Sequence, residues 1–271
     1  MSSQIVLVPY GGLCNRLRAI SGAYTIARKH NVPLQVCWRN NNECKADFDE
    51  LFADVKLDGI VIEPMALHQI ALFKSRWING WLPQMLRKLK FDREIILFSW
   101  KQRDIADSCD FAKGRTYIYS CYSMTEHYPL GEMFVPREDI MSRINALTTQ
   151  FSENTIGVHI RRTDHIKAMA ACSVEDYEAE MERCVAENGD VKFFLATDDA
   201  VVKQRLETKF AGRIVTQQTR LSRSDSEGML GSVVDLWTLA ATKKIIGSFG
   251  SSYSELAAEL GGIEMVLPSR G

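Results

Sequence analysis

The sequence lacks the features that mark a membrane protein or a nucleic-acid binder. No apolar run approaches the ~20 residues that a bilayer-spanning helix needs. The N-terminal segment MSSQIVLVPY has no basic region and no long apolar stretch, so we expect no signal peptide. With 33 Lys and Arg against 34 Asp and Glu, the formal net charge is −1, which implies no general attraction to nucleic acids or membranes.

Paired cysteines and metal-ligand spacings are also missing. The seven cysteines are odd in number and scattered, with no CxxC pair and no regular Cys/His spacing. Neither a disulfide framework nor a structural zinc is therefore predicted. We expect reduced thiols in a cytoplasmic protein. The 271 residues suffice for one large domain or two of moderate size.

Strand and helix patterns alternate along most of the chain. Strands are predicted at 5–8, 34–38, 59–62, 95–100, 116–120, 156–160, 192–196, 213–216, 244–247 and 264–267. Helices are predicted at 17–30, 48–52, 135–151, 174–188, 199–210, 229–242 and 251–260. Such alternation is typical of parallel sheets. Because the strand pattern restarts after a polar stretch, we predict two Rossmann-like doubly wound domains, 1–150 and 151–271, facing a cleft.

A glycine-rich turn follows the first predicted strand. Gly11, Gly12, Asn15 and Arg16 lie between that strand and an amphipathic helix. Strand, turn and helix together present backbone N–H groups to an anion. The glycines match neither GxGxxG nor the P-loop, so a plain turn is one interpretation. The other is an anion-binding turn in which Asn15 and Arg16 face the ligand.

A cluster of charged residues follows the strand at 156–160. Arg161, Arg162 and Asp164 come where this strand ends, and ligands of open α/β sheets bind at the carboxyl ends of strands. A guanidinium forms bidentate bonds to phosphate oxygens. His159 shares a strand face with Arg161. Alone, it reads as a buried core histidine, but its position beside Arg161 favours a ligand contact.

Two further strand ends carry polar residues. Asp198 and Asp199 follow the strand at 192–196 and indicate either a ligand contact or a helix N-cap. Their spacing does not demand a metal ion, and we predict no metal site. Ser251 and Ser252 begin a helix, either as plain caps or with a phosphate at the helix N-terminus.

Asp235 lies among apolar residues of the helix predicted at 229–242. A buried carboxylate needs a partner. The adjacent N1–H and N2–H donors of a guanine base would provide one. Together with the phosphate-binding residues, Asp235 therefore predicts a site for a nucleoside diphosphate.

Four segments resemble, in chain order, motifs of the inverting fucosyltransferases: GGLCNRLRAISGAY, GVHIRRTD, FFLATDD and VVDLWTLAATKKIIGSFGSSYSEL. This set includes the α-1,6-fucosyltransferases, the rhizobial nodulation fucosyltransferases and the protein O-fucosyltransferases. The resemblance covers most of residues 5–30 and 154–262. It implies a GT-B fold, a GDP-fucose donor held mainly by the second domain, and no metal dependence.

The resemblance also implies roles for single residues. Arg161 would bind the β-phosphate and stabilise the departing GDP, on which negative charge accumulates. His159 and Asp235 would contact the guanosine. The remaining donor-site positions that it implies are Gly11, Gly12, Asn15, Arg162, Tyr177, Asp198, Asp199, Ser251 and Ser252.

One feature of the α-1,6 group is missing. That group carries, after Arg-Arg-Thr-Asp, a glutamate proposed to deprotonate the acceptor, and the segment 165–173 here contains no acid. An inverting transfer needs a base near the acceptor hydroxyl. Asp164 and then Glu43 are our candidates. Trp77 and Trp81, at helical spacing, suggest either an acceptor-facing aromatic patch or, more commonly, core or helix packing.

The sequence therefore predicts a cytoplasmic, metal-independent glycosyltransferase that moves fucose from GDP-fucose to a glycan acceptor with inversion. Its partners would be the GDP-sugar donor and the glycan, with no cofactor, no nucleic acid and no integral membrane segment. One alternative is a transferase that uses another nucleotide sugar. The second is a non-catalytic nucleotide- or glycan-binding module, which the missing acid favours.

Overall fold

Two parallel sheets, each with helices packed on it, organise the chain. The computed structural model describes residues 3–66, 69, 81–97, 109–162, 172–218 and 225–268. The chain divides into two compact units, Met1–Val135 and Pro136–Gly271. The sequence pattern places the boundary after residue 150. The helix Glu138–Thr148 nevertheless packs against the helix Ser226–Ala240, so it lies in the second unit.

The first unit contains five strands in the order β3-β2-β1-β5-β4, and every neighbouring pair is parallel. Its elements are β1 (Gln4–Pro9), α1 (Leu13–His30), β2 (Leu34–Trp38), α2 (Phe48–Leu51), β3 (Ile60–Pro64), α3 (Trp81–Lys90), β4 (Arg93–Leu97), β5 (Arg115–Ser120) and α4 (Leu130–Met133). β1 is central and is buried from Ile5 to Pro9. An apolar run such as IVLVP forms a strand that is covered on both faces.

The second unit repeats this arrangement with the strand order β10-β9-β6-β7-β8, again all parallel. Its elements are α5 (Glu138–Thr148), β6 (Thr155–Ile160), α6 (Val174–Glu187), β7 (Lys192–Thr197), α7 (Ala200–Lys209), β8 (Ile214–Val215), α8 (Ser226–Ala240), β9 (Lys244–Ile246), α9 (Ser252–Gly261) and β10 (Glu264–Val266). The predicted α/β class and the two Rossmann-like units are confirmed.

The central strand β6 divides its side chains between two faces. Ile156, Val158 and Ile160 join one apolar core cluster, together with residues of α6, β7 and α7. His159, between them in sequence, points to the other face. The chain leaves β6 towards β7 and β8 and then crosses to β9 on the opposite side. The topological switch point therefore lies between β6 and β9.

Helix α8 begins earlier than the apolar periodicity indicates. Periodicity predicts a start at residue 229, whereas the helix begins at Ser226. The reason is the cap: the Asp225 carboxylate accepts a hydrogen bond from Gly228 N at 2.7 Å. Helix starts of this kind depend on a polar residue that carries no periodic signal.

The core-packing interpretation of Trp81 is wrong. Trp81 is 75% exposed at the start of α3, while Trp77 lies outside the described residues. The apolar spacing that suggested burial places Met85 and Leu89 on the same exposed face of the helix. Among the described residues, no helix is long and apolar enough to cross a membrane.

Candidate functional site

Polar side chains of the second unit meet at the switch point between β6 and β9. Arg161 follows β6 directly, and Ser248 follows β9 after a single glycine. Arg161 is partly exposed, and Ser248 is buried. Ligands of open parallel sheets bind in this position. Arg161, which was predicted from the sequence, therefore lies next to the end of the neighbouring strand β9.

The hydroxyl of Ser248 connects the two strand ends. It accepts the backbone N–H of Arg161 at 3.0 Å and donates to the carbonyl of His159 at 2.9 Å. The phenol of Tyr177, from α6, lies 2.9 Å from the same oxygen and donates to Gly247 O at 3.1 Å. Ser248 thereby fixes the backbone from which the Arg161 side chain projects.

The ring of His159 is held in a neutral form. It is 6% exposed, and its Nδ1 lies 2.6 Å from Ser254 Oγ. Ser254 Oγ also accepts the backbone N–H of Ser248 at 3.1 Å. Burial, with the Arg161 charge as a second cause, lowers the pKa of His159 to about 3. In the neutral imidazole, one ring nitrogen donates a hydrogen bond and the other accepts one.

Tyr177 and Tyr253 pack on this network from two helices. Burial raises the pKa of Tyr177 to about 12, so its hydroxyl remains a donor at neutral pH. The ring of Tyr253 lies 4.8 Å from the ring of His159. The His159 imidazole is therefore fixed by a hydrogen bond at one end and by an aromatic face along its side.

The N-terminus of α9 lies beside this network. Ser251 occupies the N-cap position and Ser252 the first helical position, as predicted. Ser251 is 4% exposed, and its side chain makes no capping bond to the described first turn. Unpaired N–H groups at a helix start favour an anion. Whether Ser251 and Ser252 bind phosphate oxygens stays a prediction.

Backbone N–H groups engage both carboxylates after β7. Asp198 Oδ1 accepts from Arg162 N at 2.8 Å. Asp199 Oδ1 caps α7 by accepting from Val201 N at 2.8 Å and Val202 N at 3.1 Å. Of the two interpretations given above for Asp199, the helix cap is present. The guanidinium of Arg162 donates to Cys172 O at 3.2 Å.

Asp235 lies on α8 with 2% of its surface exposed. The buried partner that its carboxylate requires is the side-chain amide of Gln217, which donates to Asp235 Oδ1 and, at 2.7 Å, to Gly231 O. Burial raises the pKa of Asp235 to about 7, although the Gln217 hydrogen bond and the charges of Lys203 and Arg143 oppose this shift. The sequence analysis missed Gln217.

In the first unit, the glycine turn adopts a conformation that requires Gly11. Its φ is +82°, in the left-handed region, and an added Cβ would approach the Asn15 amide to 3.3 Å. Gly11 N donates to Glu43 Oε2 at 3.1 Å, so this N–H already has an acceptor within the chain itself. Gly12 is the N-cap of α1. Roles of Gly11, Gly12 and Asn15 in donor binding stay predictions.

The expectation that Arg16 faces a ligand is wrong. Arg16 is fully buried and donates to Gly11 O at 2.8 Å, Arg39 O at 2.5 Å and Asn41 Oδ1 at 2.8 Å. Its guanidinium also lies 4.9 Å from the centre of the Trp38 ring. Buried acceptors need donors, and this guanidinium satisfies three of them. Arg16 therefore fixes the turn to the loop after β2.

Ser254 and Gln217 were not predicted from the sequence. Ser254 lies in the first turn of α9, and Gln217 follows the short strand β8 at the carboxyl edge of the sheet. A polar residue just beyond a strand end was the available clue in the case of Gln217. Asp164, the first candidate base, lies outside the described residues. No group of three or more potential metal ligands occurs in the described ranges.

Comparisons with known proteins agree with the predicted fold. No family model matches the chain. The α-(1,6)-fucosyltransferase of Drosophila melanogaster is 29% identical over a 119-residue alignment that covers 39% of this chain and 19% of that protein. The match therefore spans about a fifth of the length of this relative.

Several solved fucosyltransferase structures share the fold of this chain. NodZ α-1,6-fucosyltransferase of Bradyrhizobium, soaked with GDP-fucose, has a TM-score of 0.67 and 19% identity, covering 96% of this chain and 93% of that one. A variant of FUT1 from Arabidopsis thaliana in complex with GDP has a TM-score of 0.69 and 13% identity, covering 100% and 71%. POFUT1 in its apo form has a TM-score of 0.59 and 10% identity, covering 100% and 99%. At the level of the fold, the resemblance to the fucosyltransferases is confirmed.

Proposed function

We propose that this protein transfers fucose from GDP-fucose to a glycan acceptor, with inversion at the sugar carbon and without a metal ion. The observation that carries the proposal is the attachment of Arg161 to Ser248 at the switch point of the second unit. The fold shared with fucosyltransferases that were solved with GDP or GDP-fucose supports the choice of donor. The second unit is then the donor domain.

Arg161 acts on the leaving group in this proposal. When the bond between fucose and phosphate breaks, negative charge builds up on the β-phosphate, and a guanidinium fixed in advance stabilises that charge. The neighbouring start of α9, with Ser251 and Ser252, adds N–H groups and the positive end of the helix dipole. These groups supply the positive charge that a metal ion gives in other transferases.

His159 and Asp235 recognise the base in this proposal. Ser254 Oγ donates to His159 Nδ1 in this proposal, so that Nε2–H is the donor that fits an acceptor on the guanine ring. The Asp235 carboxylate fits the adjacent N1–H and N2–H donors of guanine. Tyr177, Arg162, Asp198 and Asp199 make hydrogen bonds at or just after the ends of β6, β7 and β9 and so support the neighbouring site.

The acceptor hydroxyl needs a base within hydrogen-bond reach. We propose Asp164 for this role, with Glu43 as the second candidate. The Asp164→Asn and Glu43→Gln variants separate the two. The residue that acts as the base is the one whose loss lowers the transfer rate without changing the affinity for GDP.

Calorimetric titration with GDP, GDP-fucose and GDP-mannose, each with and without a chelator, tests the proposal. We expect GDP and GDP-fucose to bind, with affinities that the chelator leaves unchanged. UDP- and ADP-sugars serve as controls, and preferential binding of one of these indicates a transferase for another nucleotide sugar. Failure to bind any guanine nucleotide contradicts the central claim.

Binding without transfer would identify the alternative function, a non-catalytic module. The observation in its favour is that the segment 165–173 holds no acid. Transfer of fucose to a panel of oligosaccharides, followed by determination of the anomeric configuration, distinguishes the two. As the compartment we propose the cytoplasm, because all seven cysteines are free thiols.

A further inference from the structure

Gln217 and Asp235 form a buried pair in the second unit. Gln217 follows β8 and is 9% exposed, and Asp235 lies on α8 and is 2% exposed. The Gln217 amide donates both of its hydrogens, one to Asp235 Oδ1 and one to Gly231 O. Its carbonyl oxygen, Oε1, is buried and has no hydrogen-bond partner.

Rotating the Gln217 amide does not give its unpaired oxygen a donor. Exchanging its oxygen and nitrogen would place Oε1 against the Asp235 carboxylate and the Gly231 carbonyl, three acceptors facing one another. The orientation with Nε2 towards both acceptors is therefore assigned by the network. A buried acceptor without a donor costs about 1–3 kcal/mol. The pair thus contains one buried acceptor without a donor, Gln217 Oε1, beside the side chain of Asp235.

A ligand edge with neighbouring N–H donors is the complement of the unpaired Gln217 carbonyl and the carboxylate beside it. Guanine presents N1–H beside its exocyclic N2–H₂ group, which gives three hydrogens in a row. Adenine places the N1 acceptor beside its amino group, and the N3–H of uracil stands between two carbonyls. Of these bases, guanine alone offers donors to both side chains.

We propose that Gln217 is a specificity-determining residue that accepts a hydrogen bond from the exocyclic 2-amino group of guanine, next to the carboxylate of Asp235. This inference rests on the proposed function. It adds that selection of the base depends on the 2-amino group and on a residue outside the predicted site. Inosine diphosphate, which lacks only that amino group, is the matched ligand.

The experiment compares GDP with inosine diphosphate by calorimetric titration. We expect the wild-type protein to prefer GDP by about tenfold or more, because a buried acceptor without its donor penalises the analogue. In Gln217→Met, which keeps the side-chain length and removes the amide, this preference should fall by about tenfold. Gln218→Met is the control, since Gln218 is the neighbouring exposed glutamine, and it should keep the wild-type preference.

Three outcomes overturn the inference or its basis. An unchanged preference in folded Gln217→Met overturns the role of Gln217. Equal binding of GDP and inosine diphosphate by the wild-type protein does the same and requires no variant, so a misfolded variant does not prevent the test. Neither result affects the proposed function, which fails separately if the wild-type protein binds no GDP.

Discussion

In both units the winding of the sheet reverses beside the first strand, which is β1 in the first unit and β6 in the second. An arginine stands near each reversal. Arg16 has its guanidinium bonded to three acceptors of its own chain and is fully buried. Arg161 is partly exposed, and the network fixes its backbone N–H. The difference shows that a position beside a switch point does not by itself make an arginine a ligand candidate.

The largest expected effect concerns stability in the first unit. Arg16→Met leaves the carbonyls of Gly11 and Arg39 and the side chain of Asn41 without their donor. We expect a loss of roughly 3–5 kcal/mol in the free energy of unfolding, measured with urea. Arg137→Met, at an exposed ion pair, serves as control. Near wild-type stability of Arg16→Met would show that this arginine is not structural.

Arg161→Ala should show the opposite behaviour. We expect the rate of fucose transfer to fall by about 10²–10³-fold, because the charge that builds on the leaving diphosphate loses its stabilising donor. The midpoint of thermal unfolding should stay close to that of the wild type. If the variant instead lost stability and kept its rate, the contrast between the two arginines would disappear.

Two separate buried residues of the second unit, His159 and Asp235, give its stability a particular pH dependence. Burial holds the pKa of His159 near 3 and that of Asp235 near 7 in the folded protein. The unfolded chain titrates at about 6.5 and 3.9. Between about pH 4 and 6.5, the histidine contribution to stability is lost as the pH falls, whereas the aspartate contribution is lost as the pH rises. The two slopes nearly cancel.

Asp235→Asn should reveal the histidine slope. Relative to the wild type, the free energy of unfolding of the variant should fall by roughly 1 kcal/mol per pH unit as the pH decreases from 6.5 to 4. Urea unfolding at four pH values measures this difference. Lys203 and Arg143, the charges that act on Asp235, are present in both proteins. Parallel stability curves would show that Asp235 does not titrate as its burial implies.

Ser248→Ala tests the connection between the two strand ends. Without the hydroxyl, Arg161 N–H loses its acceptor and His159 O its donor, so we expect a loss of about 1–2 kcal/mol in stability. The transfer rate should also fall, by about tenfold. Ser248→Thr should restore the rate because it keeps the hydroxyl. Ser142→Ala, which removes a hydroxyl bonded within helix α5, should leave the rate unchanged.

The smallest effect is expected at Asp199. Asp199→Ala removes the N-cap of α7 and should cost about 1 kcal/mol of stability, measured by thermal unfolding. If capping is its only role, the affinity for GDP will not change. A loss of GDP affinity that exceeds the loss of stability would favour the donor contact implied by the resemblance.

Elements with strong periodicity could be predicted from the sequence. The apolar runs of β1 and β6 indicated buried strands, and parallel sheets followed from their alternation with helices. The start of α8 at Ser226 could not, since it depends on one capping aspartate. The prediction for Trp81 was wrong for another reason. Helical spacing shows which residues share a face of a helix, but it cannot show whether anything covers that face.

For the candidate site, the sequence identified residue types but not their partners. Arg161 was found because two adjacent arginines after a buried strand are unusual, and the structure adds that Ser248 holds its backbone. Arg16 carried the same kind of signal and has a different role. Gln217 was missed because its partner, Asp235, lies 18 residues further along the chain. Such pairs depend on tertiary contacts that local patterns do not encode.

The strand order of the first unit has a consequence for how this chain folds. Its central strand β1 pairs with β5, so that Gln4 stands opposite Arg115, 111 residues later. Contacts between such distant residues slow folding, because a long loop must close before any pairing gains free energy. During synthesis, β1 therefore remains without one neighbour until most of the first unit has been made. Over that interval the unpaired backbone edge of β1 is open to pairing with other chains. Aggregation therefore competes with folding while the first unit is still being synthesised.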